Sequence, residues 1–191
     1  GTTMAGNTAV VLENGAFFDV LISRIQAARE SLHFETFLWK EGTLGRRVAD
    51  ALIDRARAGV KVRVLLDAEG SKSAGETAVR QMRDAGCRVS IFIAADQRQI
   101  EAASRIGAAV VELHTGAYCD HHAEGDLAAR DTELERLRTM ATYAHSLGLE
   151  VHAGHGLTYD TVKPVAAFPE GMELNIGHFL DHMFTLIFAT V

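Results

Sequence analysis

The chain alternates short runs of β-branched residues with segments whose apolar residues recur every three or four positions, and this alternation constrains the fold most. The β-branched runs predict strands at 8–12, 32–39, 61–67, 88–93, 109–115, 149–153 and 172–176. The segments between them have the apolar spacing of amphipathic helices. Such alternation predicts an α/β fold of repeated βα units, with helices packed on a mostly parallel sheet.

Glycines mark the expected ends of the helices. Gly59, Gly86, Gly107 and Gly148 each stand just before a predicted strand, where a left-handed residue commonly closes a helix. The longest predicted helix begins near Asp126, because aspartate is a favoured N-cap residue.

Length and composition limit the class of protein. No proline- or serine-rich linker divides the 191 residues, so we expect a single α/β domain over 1–191. A net charge of −6 disfavours nucleic-acid binding, which needs a basic face. No apolar run reaches the roughly 18 residues of a membrane span. Two isolated cysteines favour a reducing compartment, so we expect a cytoplasmic protein. The sequence leaves open whether the chain forms a homo-oligomer.

Polar and glycine-rich clusters follow three successive predicted strands. They are "ELHTG" at 112–116, "HAGHG" at 152–156 and "NIGH" at 175–178. Ligands of parallel α/β folds bind at the carboxyl ends of the strands, so the three clusters together predict a ligand site. The alternative for 152–156 is an ordinary tight turn with a solvated histidine.

The same clusters carry a resemblance. "RVSIFIAADQRQIEAASRIGAAVVELHTGAY" and "ATYAHSLGLEVHAGHGLTYDTVKPVAAFPEGMELNIGHFL", within about residues 88–180, resemble pyridoxine 5′-phosphate synthase. That resemblance implies the last four strands of a (βα)8 barrel, hence a half-barrel here, with barrel-like closure of the whole chain left open. It also implies a transferase of vitamin B6 biosynthesis. The family joins 1-deoxyxylulose 5-phosphate to amino-hydroxyacetone phosphate without a metal or organic cofactor.

The resemblance also implies which residues form the site. Glu112 and His155 match catalytic positions, Glu112 to move protons or hold an amine and His155 to orient phosphate or act as acid/base. The matching phosphate- or substrate-binding positions are Thr115, Gly116, Gly156, Asn175, Gly177 and His178. The expected ligand is a small phosphorylated metabolite or inorganic phosphate, and no metal site is expected. Two alternatives stay open: Glu112 as an ion-paired strand-end carboxylate and Asn175 as a turn-shaping residue.

The first part of the chain carries a different resemblance. "LENGAFFDVLISRIQAARESLHFETFLWKEGTLGRRVADALIDRARAGVKVRVLLDAEGS", within residues 7–87, resembles the opening of the phospholipase D superfamily, particularly cardiolipin synthase-like phosphatidyltransferases. The chain is therefore expected to be a chimera of 7–87 and 88–191. None of its nine histidines has a lysine two residues later, so the His-x-Lys-x4-Asp motif of phosphodiester transfer is missing.

Departures from the synthase family predict weak catalysis. The family's early strands supply an Asp-His pair, a second histidine with nearby arginines and a further glutamate, and residues 1–87 hold no matching segments. Each general acid or base typically accelerates a reaction about 10²–10⁴-fold. We therefore expect the chain to keep phosphate binding and to lose most of its turnover. The alternatives are a recombined or engineered scaffold without natural activity, and an inactive phosphatidyltransferase fragment.

Overall fold

The computed structural model describes residues 15–71, 75–176 and 189–190. Within these ranges helices and strands alternate along the chain, as the sequence predicts. The helices are α1 Ala16–Ala27, α2 Thr43–Arg57, α3 Gly75–Asp84, α4 Gln97–Ile106, α5 Gly116–Glu124, α6 Leu127–Ser146 and α7 Val162–Ala166. The strands are β1 Ser31–Thr36, β2 Lys61–Asp67, β3 Arg88–Ile93, β4 Val110–His114, β5 Glu150–Gly154, β6 Gly171–Asn175 and β7 Ala189–Thr190.

The described strands form one sheet in the order β6-β5-β4-β3-β2-β1-β7. Strands β1 to β6 run parallel to one another, and β7 pairs antiparallel with β1. The α/β prediction with a mostly parallel sheet is confirmed. Six predicted strands correspond to β1–β6; the one predicted at 8–12 lies outside the described residues.

Strand β1 ends earlier than its apolar run predicts. The run 32–39 continues through Phe37 and Leu38, but the strand stops at Thr36. The Thr36 hydroxyl donates to the Leu38 carbonyl at 3.1 Å, and the Trp39 N–H donates to the Gly70 carbonyl at 3.3 Å. These two bonds, one local and one to a loop distant in sequence, turn the chain out of the sheet and leave Phe37 68% exposed.

The helix ends follow the predicted residues. Gly59, Gly86, Gly107 and Gly148 all have positive φ, between 80° and 96°, the left-handed conformation that glycine adopts without steric cost. Asp126 caps α6, because its Oδ1 accepts the Ala129 N–H at 3.0 Å. The glycine at the end of a helix and the aspartate N-cap both act on neighbouring residues, which explains why the sequence shows them.

The sheet separates an apolar layer from a polar concave face. On β2, Val62, Val64 and Leu66 are buried in the core against the helices, whereas Arg63 and Leu65 line a cavity on the other face. Residues from all six parallel strands line that cavity of about 370 Å³. A single cavity can touch all six strands only if the sheet curls, so β1–β6 form a half-barrel.

Two composition-based predictions bear on the described ranges. No helix there is long and apolar enough to cross a membrane. Cys87 and Cys119 are both free and buried, and burial raises the pKa of the Cys87 thiol to about 11. Burial also raises the pKa of the Cys119 thiol, so neither thiol is ionised near neutral pH.

Candidate active site

The carboxyl ends of β4, β5 and β6 lie side by side, as the sequence predicts. The rim, defined here as residues 114–116, 154–156 and 175, joins the ends of these three strands. Glu112 lies just below it on β4, in register with His152 of β5. Gly177 and His178, predicted to bind phosphate, lie outside the described residues.

Glu112 is a buried carboxyl group of the concave face. It is only 4% exposed, and its Oε2 accepts a hydrogen bond from Asn175 Nδ2 at 2.6 Å. Burial, with a smaller contribution from the charges of Glu35 and Glu173, raises the pKa of Glu112 to about 7, although the Asn175 bond opposes the shift. A carboxyl group with such a pKa can accept or release a proton near neutral pH.

Gly154 makes room for this carboxyl group. A Cβ added at Gly154 would lie 2.3 Å from Glu112 Oε1 and 2.9 Å from the Asn175 carbonyl oxygen. Only glycine allows β5 to pass this close to both groups. The glycine therefore lets the Glu112 carboxyl group reach across β5 to Asn175 of β6.

His155 stands at the open edge of the rim in an uncommon backbone conformation. Its φ of 77° is unfavourable for a residue with a side chain. Its ring stacks on His114 with 4.4 Å between centroids and 29° between planes, and Phe92 lies 5.2 Å from the His114 ring. Burial, and then the neighbouring His155, lower the pKa of His114, so this ring is neutral near pH 7.

Thr115 and Gly116 shape the rim through their own hydrogen bonds. The buried Thr115 hydroxyl lies 2.7 Å from the carbonyl oxygens of both Gly154 and His155, and the Gly116 N–H donates to His114 Nδ1 at 3.0 Å. These donors therefore already have partners within the protein. Ligand binding by Thr115 and Gly116 stays a prediction.

We expect Thr115→Val to destabilise the protein by about 1–3 kcal/mol, because the part-buried His155 carbonyl loses its hydroxyl donor and the Gly154 carbonyl keeps only the Thr115 N–H. His155 should also lose its fixed backbone, which would show as changed ring-proton shifts of His155 and His114. Urea denaturation and proton NMR measure the two effects. Thr115→Ser keeps the hydroxyl and is the control; equal stability of the Val and Ser variants would contradict this role.

The backbone that could bind an anion comes from two strand ends. After Gly156 the next helix, α7, begins only at Val162, so no helix begins directly at this glycine. Instead, α5 begins at Gly116, directly after β4. Its first turn is close to Gly156, since a Cβ at Gly156 would lie 3.7 Å from Gly116 Cα. The rim thus contains a helix N-terminus, but the helix follows β4 and not β5.

A hydrogen-bonded chain on the concave face was missed as a functional group. Arg88 Nη2 lies 2.5 Å from Glu150 Oε2, and His152 Nε2 lies 2.8 Å from Glu150 Oε1. Two-residue alternation along β5 places Glu150 and His152 on the face that also holds Glu112, and that signal is visible in the sequence. Among the described residues no group of three or more His, Cys, Asp or Glu could hold a metal ion.

Comparison with known proteins decides the family. The family model described as "Pyridoxal phosphate biosynthesis protein PdxJ" matches residues 52–183, which is more than half of the chain. The chain belongs to the PdxJ family.

Curated relatives of the PdxJ family match over a shorter stretch. Pyridoxine 5′-phosphate synthases of Roseobacter denitrificans, Ruegeria pomeroyi and Jannaschia sp. are 79%, 78% and 68% identical to the chain over 102 residues. Each alignment covers 53% of this chain and 41% of the relative. The chain thus spans about two fifths of the length of these relatives.

Other matches add less. A xylose isomerase domain protein from Planctomyces limnophilus aligns with a TM-score of 0.47 and 15% identity, over 78% of this chain and 64% of that protein. The PdxJ match begins at residue 52, inside the segment 7–87 expected to resemble phospholipase D. These matches give no support to that resemblance.

Proposed function

We propose that the chain is a pyridoxine 5′-phosphate synthase-like protein of vitamin B6 biosynthesis that binds a phosphorylated ligand at the rim. The observation that carries the proposal is a buried carboxyl group, Glu112, whose pKa of about 7 suits proton transfer, just below the rim that holds His155. Membership of the PdxJ family supplies the reaction class. The substrates would be 1-deoxyxylulose 5-phosphate and amino-hydroxyacetone phosphate, in the cytoplasm.

The rim offers what a phosphate group needs. The N-terminus of α5 presents the positive end of its dipole beside Gly156, whose N–H donates to no acceptor among the described residues. Gly156 has a φ of 86°, so replacing it would strain the turn. We assign phosphate contact to Gly156 and the first turn of α5, and orientation or acid–base chemistry to His155. Asn175 acts by holding Glu112.

We also propose that segments 7–87 and 88–191 are two halves of a single domain. Strands β2 and β3 pair across this boundary with Asp67 opposite Phe92, and one hydrophobic core includes buried residues of both halves. On this proposal the phospholipase D resemblance of 7–87 concerns ancestry, and the segment serves as scaffold. It lacks matches to the family's early-strand acid–base groups, so we propose little or no turnover.

The binding test is thermal unfolding with pyridoxine 5′-phosphate and with inorganic phosphate. A ligand at 100 times its Kd stabilises the native state by about 2.7 kcal/mol, which should raise the Tm by roughly 5–10 °C for a chain of this size. His155→Ala should lose most of the pyridoxine 5′-phosphate shift. His145→Ala, which removes an exposed histidine at the end of α6, should keep it.

Two results would contradict the proposal. The absence of any shift at millimolar pyridoxine 5′-phosphate, or equal loss in both histidine variants, would favour a scaffold without this site. In a synthesis assay with both substrates we expect less than about one hundredth of a full-length relative's rate, because several acid–base groups are missing. A rate equal to the relative's would overturn the proposed loss of turnover.

A further inference from the structure

A row of basic side chains crosses the concave face near the amino ends of β1, β2 and β3. His33 pairs in register with Arg63, and Arg63 with Arg88. All three side chains line the cavity of about 370 Å³. Neighbouring strands lie only about 4.8 Å apart, and like charges at opposite positions of two strands are destabilising.

Protein carboxylates neutralise this row unevenly. Arg88 is paired with Glu150, which also accepts from His152. No described carboxylate forms an ion pair with Arg63. Glu35 faces His33, but burial raises the pKa of Glu35, which makes its carboxyl group a weaker counter-ion. Glu112 and Glu173 also line the cavity, but they lie on β4 and β6, which do not adjoin β2. Arg63 is therefore the arginine of this row that no described carboxylate pairs.

A hydroxyl group without a partner lies beside the row. Ser90 follows Arg88 by two residues on β3 and lines the same cavity. Its Oγ is buried and has no hydrogen-bond partner among the described residues. A buried hydroxyl left without a partner is destabilising, and an oxygen atom of a ligand would remove that cost. Ser90 thus points independently to a ligand at this position.

We propose that Arg63, Arg88, Ser90 and His33 form a second anion site, which binds a phosphoryl group at the amino ends of the strands. A phosphoryl group has three terminal oxygens, enough to reach donors on neighbouring strands at once, whereas a carboxylate has two. Guanidinium groups are well suited to such oxygens because their N–H donors form a rigid fork. This site is at the opposite end of the strands from the rim and does not depend on the function proposed there.

The test is a titration with inorganic phosphate followed by amide NMR, with chloride added to keep ionic strength constant. The amides of Arg63 and Ser90 should shift and saturate. In Arg63→Gln the apparent affinity at these amides should fall at least about tenfold, the loss expected for a charge-assisted hydrogen bond. Arg105→Gln removes a mostly exposed arginine of α4 and should leave the affinity unchanged. Ser90→Ala, a second variant, should weaken binding about threefold.

Each remaining outcome counts against the site. If the Arg63 and Ser90 amides do not shift while Gly156 does, phosphate binds at the rim alone. Equal weakening in Arg63→Gln and Arg105→Gln would mean general charge screening. Acetate binding as tightly as phosphate would overturn the assignment to a phosphoryl group.

Discussion

Raising the pH from 5 to 8 should lower the free energy of unfolding of the unchanged protein by roughly 2–3 kcal/mol through Glu112. Replacing Glu112 with glutamine should abolish this loss. The folded pKa of about 7 lies well above the ordinary value of 4.5. Each unit of difference corresponds to about 1.4 kcal/mol between the two protonation states. This is the largest pH-linked effect that we expect from a single group.

The sign follows from proton binding. Between pH 4.5 and 7 the folded protein keeps the proton on Glu112, whereas the unfolded chain has released it, so the free energy of unfolding falls as pH rises. The stabilising contribution of Glu112 is complete at pH values below the pKa of the unfolded chain. It is lost as the pH rises through the folded pKa of about 7. Glutamine keeps the oxygen that accepts from Asn175 but does not titrate.

Urea denaturation of both proteins at pH 5 and pH 8 measures this effect. The free energy of unfolding of Glu112→Gln, relative to that of the unchanged protein, should rise with pH. Other titrating groups affect both proteins equally and cancel in this difference. Glu135→Gln, at a side chain 72% exposed, should run parallel to the unchanged protein. If Glu112→Gln also ran parallel, the carboxyl group would be ionised in the folded state and the proton-transfer role would fail.

Replacing Gly154 with alanine should damage both stability and the site. The added Cβ would lie 2.9 Å from the Asn175 carbonyl oxygen and 2.3 Å from Glu112 Oε1. The carboxyl group could rotate away, but the backbone carbonyl of β6 cannot move without disturbing the sheet. We expect a loss of about 1–3 kcal/mol, as for other overpacked positions, and loss of the bond between Glu112 and Asn175.

Two measurements separate these effects. Urea denaturation gives the stability, and carboxyl-carbon NMR of Glu112 reports its pKa, which should change when the Asn175 bond is lost. Gly15→Ala is the matched control, since nothing lies within 4 Å of a Cβ there. A Gly154→Ala protein with unchanged stability and an unchanged Glu112 titration would contradict the close packing of β5 against Glu112.

Local patterns in the sequence predicted most of the fold. β-branched runs and left-handed glycines are set by neighbouring residues, so six strands and the ends of four helices follow from them. The early end of β1 at Thr36 could not be predicted, because it depends on Trp39 meeting Gly70, a contact between loops distant in sequence. The curl of the sheet depends on packing of all six strands, so the local patterns could not show it; the half-barrel was implied by the resemblance to the synthase family and is confirmed.

The candidate site was predicted in its position more than in its chemistry. The ends of three parallel strands bring Glu112, His155 and Asn175 together because parallel strands end on the same side. The sequence could not show that the Thr115 hydroxyl is held by two carbonyl groups, or that α5 rather than α7 begins at the rim. Those features depend on how one strand end meets the next.

The most direct test of the ligand site maps pyridoxine 5′-phosphate onto the protein by amide NMR. The shifts should concentrate at Gly156, His155 and the first turn of α5, saturate together and disappear in His155→Ala. Shifts confined to other parts of the chain, or none at millimolar ligand, would show that the ends of β4 and β5 do not form the phosphate site.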